Sequence, residues 1–142
     1  MPKIDEIQLK KEIKSGDLKN AYLLYGEESY LKEYYVNELK NKIVDKTFEA
    51  FNYHSFDGKD TELDDILKDA QMLPMMSEYN FVLVKDYPIE KSSNDIKLLE
   101  EYLSDAPDST VLVFWFDALD PDVKSAKFKK VIKAFEKAGN CV

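Results

Sequence analysis

The chain is poor in the residues that most often carry chemistry. It has one cysteine, one histidine and four glycines in 142 residues. Cys141 has no second thiol to pair with, which fits a reducing, cytoplasmic setting. No Cys/His spacing suits zinc. His54 lies alone in a strand-like segment and Cys141 sits at the chain's edge with no base beside it, so no nucleophilic triad is written here. Long apolar runs are also missing. The longest, Val111 to Phe116, falls far short of the roughly 20 residues that cross a bilayer. Asp5 and Glu6 come early and no apolar signal core follows, so nothing marks the chain for export or a membrane. Basic residues are outnumbered, 20 against 28 acidic, for a net charge of −8. Such a chain is repelled by nucleic-acid phosphates, whose binding relies on Lys and Arg. Lys127, Lys129, Lys130, Lys133 and Lys137 cluster, but they read as the solvated face of a helix.

What is present is a core. Hydrophobic residues make up 44% of the chain, with eight Phe, nine Tyr and one Trp. That is enough for one globular domain over residues 1–142. There is no repeat, low-complexity tract or Gly/Ser linker.

Apolar periodicity alternates between two modes along the chain. Residues 4–15 read as a short amphipathic helix stopped by Gly16. Residues 21–25 are a compact apolar strand, and 28–43 a helix with Leu31, Tyr35, Leu39 and Ile43 in step. Ala50 to Phe56 alternates like a strand and turns at Asp57-Gly58. Thr61 reads as the N-cap of a helix whose Leu63, Ile66, Leu67 and Ala70 share one face. Phe81–Val84 is a strand. Ser92 or Ser93 caps a helix carrying Ile96, Leu99 and Leu103, and 105–108 form a loop. Thr110–Phe116 is the most apolar strand. Asp120-Pro121 reads as the start of a helix with Phe128, Val131, Ile132 and Phe135 on one face. Gly139 ends it, and Asn140-Cys141-Val142 begins a fifth strand. Helices between continuous apolar strands imply a three-layer α/β domain, a five-stranded parallel sheet flanked by helices with right-handed crossovers. Stopping as the fifth strand starts suggests a piece of a longer protein.

In such sheets ligands sit beyond the C-terminal ends of the strands. The first strand runs into "LLYGEESYLKEYY", where a phosphate loop GxxxxGK[ST] would open the next helix. Gly26 is present, but no second glycine closes the loop, and Glu27 and Glu28 would repel phosphate. Nucleotide binding is therefore disfavoured. Asp86, after the third strand, reads as a solvated turn acid. Glu27, Glu28, Asp86 and Asp117 together leave a second reading, a magnesium- or nucleotide-dependent α/β enzyme or a phospho-accepting signalling domain.

The stretch "QMLPMMSEYNFVLV" stands out. Met72, Leu73, Met75 and Met76 crowd around Pro74 between a helix and a strand, where loops are usually polar. On physical grounds two readings are open. Met72 and Leu73 finish the helix's core face while Met75 and Met76 cover the sheet edge, or the group is a flexible apolar knob for a partner's cavity.

The segments "YLLYGEESYLKEYYVNELK", "LPMMSEYNFVLVKDYP" and "VLVFWFDALDPDVKSAKFKKVIKAFEKAGNCV" resemble the N-terminal domain of the delta subunit of bacterial DNA polymerase III, part of the clamp loader. The resemblance spans nearly the whole chain. It implies an AAA+, RecA-like fold of the P-loop type with a degenerate nucleotide site, no cofactor, and no catalysis by the domain itself. The lid and collar domains of the family would lie outside this chain. It further implies a role in DNA replication: binding the beta sliding clamp and helping to open the ring. The other implied partners are delta prime and gamma/tau, with DNA met mainly through the complex. The family's clamp-binding element falls on Met72, Leu73, Pro74, Met75 and Met76, with Leu73 and Met75 as central anchors. Phe is the commoner residue in the family at the last two positions.

Overall fold

The computed structural model describes residues 6–15, 20–24, 29–43, 53–58, 60–72, 79–89, 93–105, 109–116, 125–138 and 140–141. The elements, in chain order, are α1 (Glu6–Ser15), β1 (Ala21–Leu24), α2 (Ser29–Ile43), β2 (Tyr53–Asp57) and α3 (Leu63–Ala70). There follow β3 (Asn80–Lys85), α4 (Ser93–Ser104), β4 (Thr110–Trp115), α5 (Ala126–Ala138) and β5 (Asn140–Cys141). The strands form one parallel sheet in the order β2-β3-β4-β1-β5.

Burial on both faces explains why the strands are continuously apolar. Every residue of β1 and β4 is buried, and successive side chains point to opposite layers. Ala21, Leu23, Val82, Val84, Leu112 and Phe114 meet Ile66, Leu99, Val131 and Phe135 from α3, α4 and α5. Tyr22, Leu24, Phe81, Leu83, Val111 and Val113 meet Leu9 of α1 and Tyr35, Val36 and Leu39 of α2. The connection from β1 runs one way along the sheet and those from β2, β3 and β4 run the other. That reversal places α2 on one face and α3, α4 and α5 on the other, as right-handed crossovers require. On the α1 side, Tyr22 donates its hydroxyl to the buried carboxylate of Glu12 at 2.6 Å.

Some local expectations need correction. Thr61 is not the N-cap of α3. Glu62 holds that position without a side-chain cap bond, while the Thr61 hydroxyl donates to the Asp57 carbonyl at 3.0 Å. The helix carrying Phe128 begins at Ala126, and Ser125 Oγ accepts the Phe128 N–H at 3.1 Å as its N-cap. Asp120, Pro121 and Gly139 lie outside the described residues, as do Tyr25, Ser92 and 106–108. Residues 50–52 lie outside the described residues; the described part of β2 starts at Tyr53, and as an edge strand it is only half-buried. The lysine cluster is solvated where it is described: Lys127, Lys129, Lys130 and Lys133 are exposed while Phe128 and Val131 are buried.

At the C-terminal edge of the sheet two chain segments cross closely. The Gly58 N–H donates to the Lys85 carbonyl at 2.7 Å. A Cβ at Gly58 would lie 2.3 Å from the Tyr87 Cα. The obstacle is backbone, so it cannot swing aside. Gly58→Ala is therefore expected to lower unfolding free energy by about 1–3 kcal/mol, read from denaturant melts.

Two tyrosines on this side of the sheet are held neutral. Burial, then the neighbouring Asp95 carboxylate that accepts the hydroxyl at 2.7 Å, pushes Tyr87 upward from its ordinary value. Burial alone pushes Tyr102 upward. In the unfolded chain both ionise near pH 10. Their raised values in the fold mean that this contribution is complete below that pH and is lost as pH climbs above it. Melting temperature should fall more steeply above about pH 10 than in the Tyr102→Phe variant, which lacks one of the two groups.

Candidate functional site

The proline-centred stretch follows α3 in sequence, and its first residue, Met72, is described. The helix is amphipathic, with Leu63, Ile66, Leu67 and Ala70 buried against the sheet and α4. Burying each of the larger ones contributes roughly 1.5–3 kcal/mol. Met72 breaks the pattern. It stands 49% exposed two residues beyond the helix. It does not finish the core face, as one sequence reading had it. Leu73, Pro74, Met75 and Met76 lie outside the described residues.

A helix end leaves carbonyls without partners, and here no glycine closes the turn. Gln71, the C-cap, keeps right-handed backbone angles, and its N–H reaches the Leu67 and Lys68 carbonyls. The Met72 N–H donates to the Asp69 carbonyl at 3.1 Å. The sheet and α4 supply further donors. Thr110 Oγ1 donates to the Ala70 carbonyl at 2.8 Å, and the Tyr102 hydroxyl approaches the same oxygen at 3.5 Å. Asn80 Nδ2 donates to the Asp69 carbonyl at 3.0 Å and to the Met72 carbonyl at 3.3 Å. Asn80 and Thr110 face each other in register at the starts of β3 and β4. His54 on β2 adds a contact, its Nδ1 lying 3.6 Å from Asp69 Oδ2. The lone histidine is thus a structural neighbour of the helix end. Beside it, an open groove of about 530 Å³ runs between α3 and α4, lined by Leu67, Gln71, Leu98 and Tyr102 among others.

Sequence patterning missed Asn80, Thr110 and Tyr102 as partners of this helix end. One signal was available: Asn80 is a polar residue opening an otherwise apolar strand, and such a residue needs a hydrogen-bond partner when buried.

The alternative site lies at the other edge of the sheet. The topological switch point falls between β1 and β4, beyond Leu24 and Trp115. Gly26, Glu27, Glu28 and Asp117 lie outside the described residues. Asp86 is described, and it is not the solvated turn acid expected. It is 3% exposed, its φ is +57°, and its N–H donates to the Trp115 carbonyl at 2.9 Å. A phospho-acceptor must be reached by its donor, which this burial opposes. Lys85 beside it lies over the Trp115 ring, 5.5 Å from its centre. Among the described residues no group of three or more His, Cys, Asp or Glu side chains could hold a metal ion, and no helix is long and apolar enough to cross a membrane.

Comparison with known proteins agrees with this arrangement. The family model described as "DNA polymerase III, delta subunit" matches residues 22–142. DNA polymerase III subunit delta of Bacillus subtilis is 32% identical over 134 residues, covering 89% of this chain and 38% of its own length. A solved structure of the Bacillus subtilis DNA clamp loader delta protein superposes with a TM-score of 0.78 at 27% identity, over 96% of this chain and 41% of that one. A Thermotoga maritima protein related to the DNA polymerase III gamma subunit shares the fold, with a TM-score of 0.64 at 18% identity over 95% of this chain and 45% of its own. The chain thus spans about two fifths of the delta proteins it matches. A match over residues 22–142 and a shared α/β architecture place this chain in the DNA polymerase III delta subunit family.

Proposed function

We propose that this chain is the N-terminal, clamp-binding domain of a clamp loader delta subunit, and that it acts by binding rather than by catalysis. Its binding element is Met72, Leu73, Pro74, Met75 and Met76, which inserts apolar side chains into a pocket on the beta sliding clamp. One observation carries this reading. On a helix whose core-facing residues are all buried, Met72 turns out to solvent where the apolar stretch begins.

The chemistry suits a reversible hold. Proline cannot continue a helix, so a proline two residues after Met72 disfavours any further helical turn. Methionine side chains are flexible and polarizable and adapt to a preformed apolar pocket. Two or three such anchors, each worth roughly 1.5–3 kcal/mol, give a grip that releases again once the ring is on DNA. Ring opening follows if the tip fits a shifted clamp element better than the closed one, because a ligand moves an equilibrium only by its differential affinity. Delta prime and gamma/tau would be the partners of the full-length protein in a cytoplasmic replication complex. DNA would be met mainly through that complex, as an overall charge of −8 favours.

Leu73→Asp together with Met75→Asp should weaken binding to the beta clamp by at least about a hundredfold, measured by calorimetry or surface capture. Melting temperature should stay nearly unchanged. A large drop in melting temperature would make these residues core, and undiminished binding would remove them from the contact. ATP with magnesium should leave the melting temperature where it is. A clear rise would instead favour a nucleotide- or magnesium-dependent activity on the same fold.

A further inference from the structure

The geometry points to Asn80 as the residue that positions the clamp-binding tip, which it does without touching the clamp. This rests on the clamp-binding reading above. A single nitrogen, Asn80 Nδ2, donates to both the Asp69 and the Met72 carbonyls, at 3.0 and 3.3 Å. Met72 also donates its own N–H to Asp69. The residue from which the tip departs is therefore held at both of its backbone polar groups.

Asn80 is a firm anchor. It is fully buried, and β3 lies between β2 and β4, paired with both. Its own N–H donates to the Ser109 carbonyl at 2.7 Å. Thr110 and Tyr102 serve a different carbonyl, that of Ala70, and so steady the helix without reaching Met72. The Asn80 amide ties Met72 to the start of a central strand. The task needs two hydrogens on one short side chain: aspartate offers none and serine one.

A tip already aimed loses less freedom when it enters a pocket, and that saving appears as affinity. A fully buried side chain cannot itself contact a visiting ring. Whatever Asn80 contributes to binding must therefore pass through Met72, whose backbone it holds.

The test compares four species for binding to the beta sliding clamp: the intact chain, Asn80→Leu, Val84→Ala and a synthetic peptide of residues 70–79. Leucine shares asparagine's branched four-atom side-chain skeleton, is bulkier, and donates nothing. Val84, buried farther along the same strand, serves as a control for lost stability without lost aim. Asn80→Leu should bind about tenfold more weakly than the intact chain, and the peptide should be similarly weak. Val84→Ala should bind as the intact chain does despite a lower melting temperature. Equal affinity for Asn80→Leu and Val84→Ala would overturn the assignment. So would a peptide as tight as the intact chain, a result that needs no variant to fold. If the intact chain itself fails to bind the clamp, the clamp-binding reading falls, and the role of Asn80 falls with it.

Discussion

The architecture depends on covering both faces of one parallel sheet. Covered strands exclude water from their backbones, so each N–H and C=O needs a partner within the protein. The same exclusion reaches the end of α3, which packs over the starts of β3 and β4. Ala70 there has no exposed surface, and no glycine turn closes on its carbonyl. Asn80, Thr110 and Tyr102 therefore stand among apolar neighbours because the helix end requires donors. The local rigidity from which the tip departs follows from burial.

Much of the fold was legible because a two-sided sheet writes itself as unbroken apolar runs. Val111 to Phe116 admits few other readings, and the helical stripe of Leu63, Ile66, Leu67 and Ala70 was equally plain. Even the two-residue β5 followed from Gly139 stopping a periodic segment. Boundaries were harder, since caps depend on backbone angles that residue type only suggests. Thr61 has the chemistry of an N-cap, yet its hydroxyl turns back to Asp57. Ser125 does the capping of α5 at a site where Asp120-Pro121 offered the stronger local pattern.

The corner around Met72 was legible in one respect and hidden in another. A crowd of methionines around a proline is visible without coordinates, because it defies the usual polarity of loops. Whether Met72 closes the core or leaves it depends on where α3 stops, and its helix ends at Ala70. Partners such as Asn80 and Thr110 are 11 and 40 residues from the carbonyls they serve. Separations of that size carry no periodic signal. Asp86 misled for a related reason: an acid after a strand is ordinarily wet, but here the neighbouring strand's Trp115 carbonyl draws its backbone inward.

Met72, beside the start of β3, and Asp86, just past its end, stand at opposite rims of the sheet. A six-residue strand such as β3 sets them about 20 Å apart. Any influence of one rim on the other must travel along the stiff strands that join them.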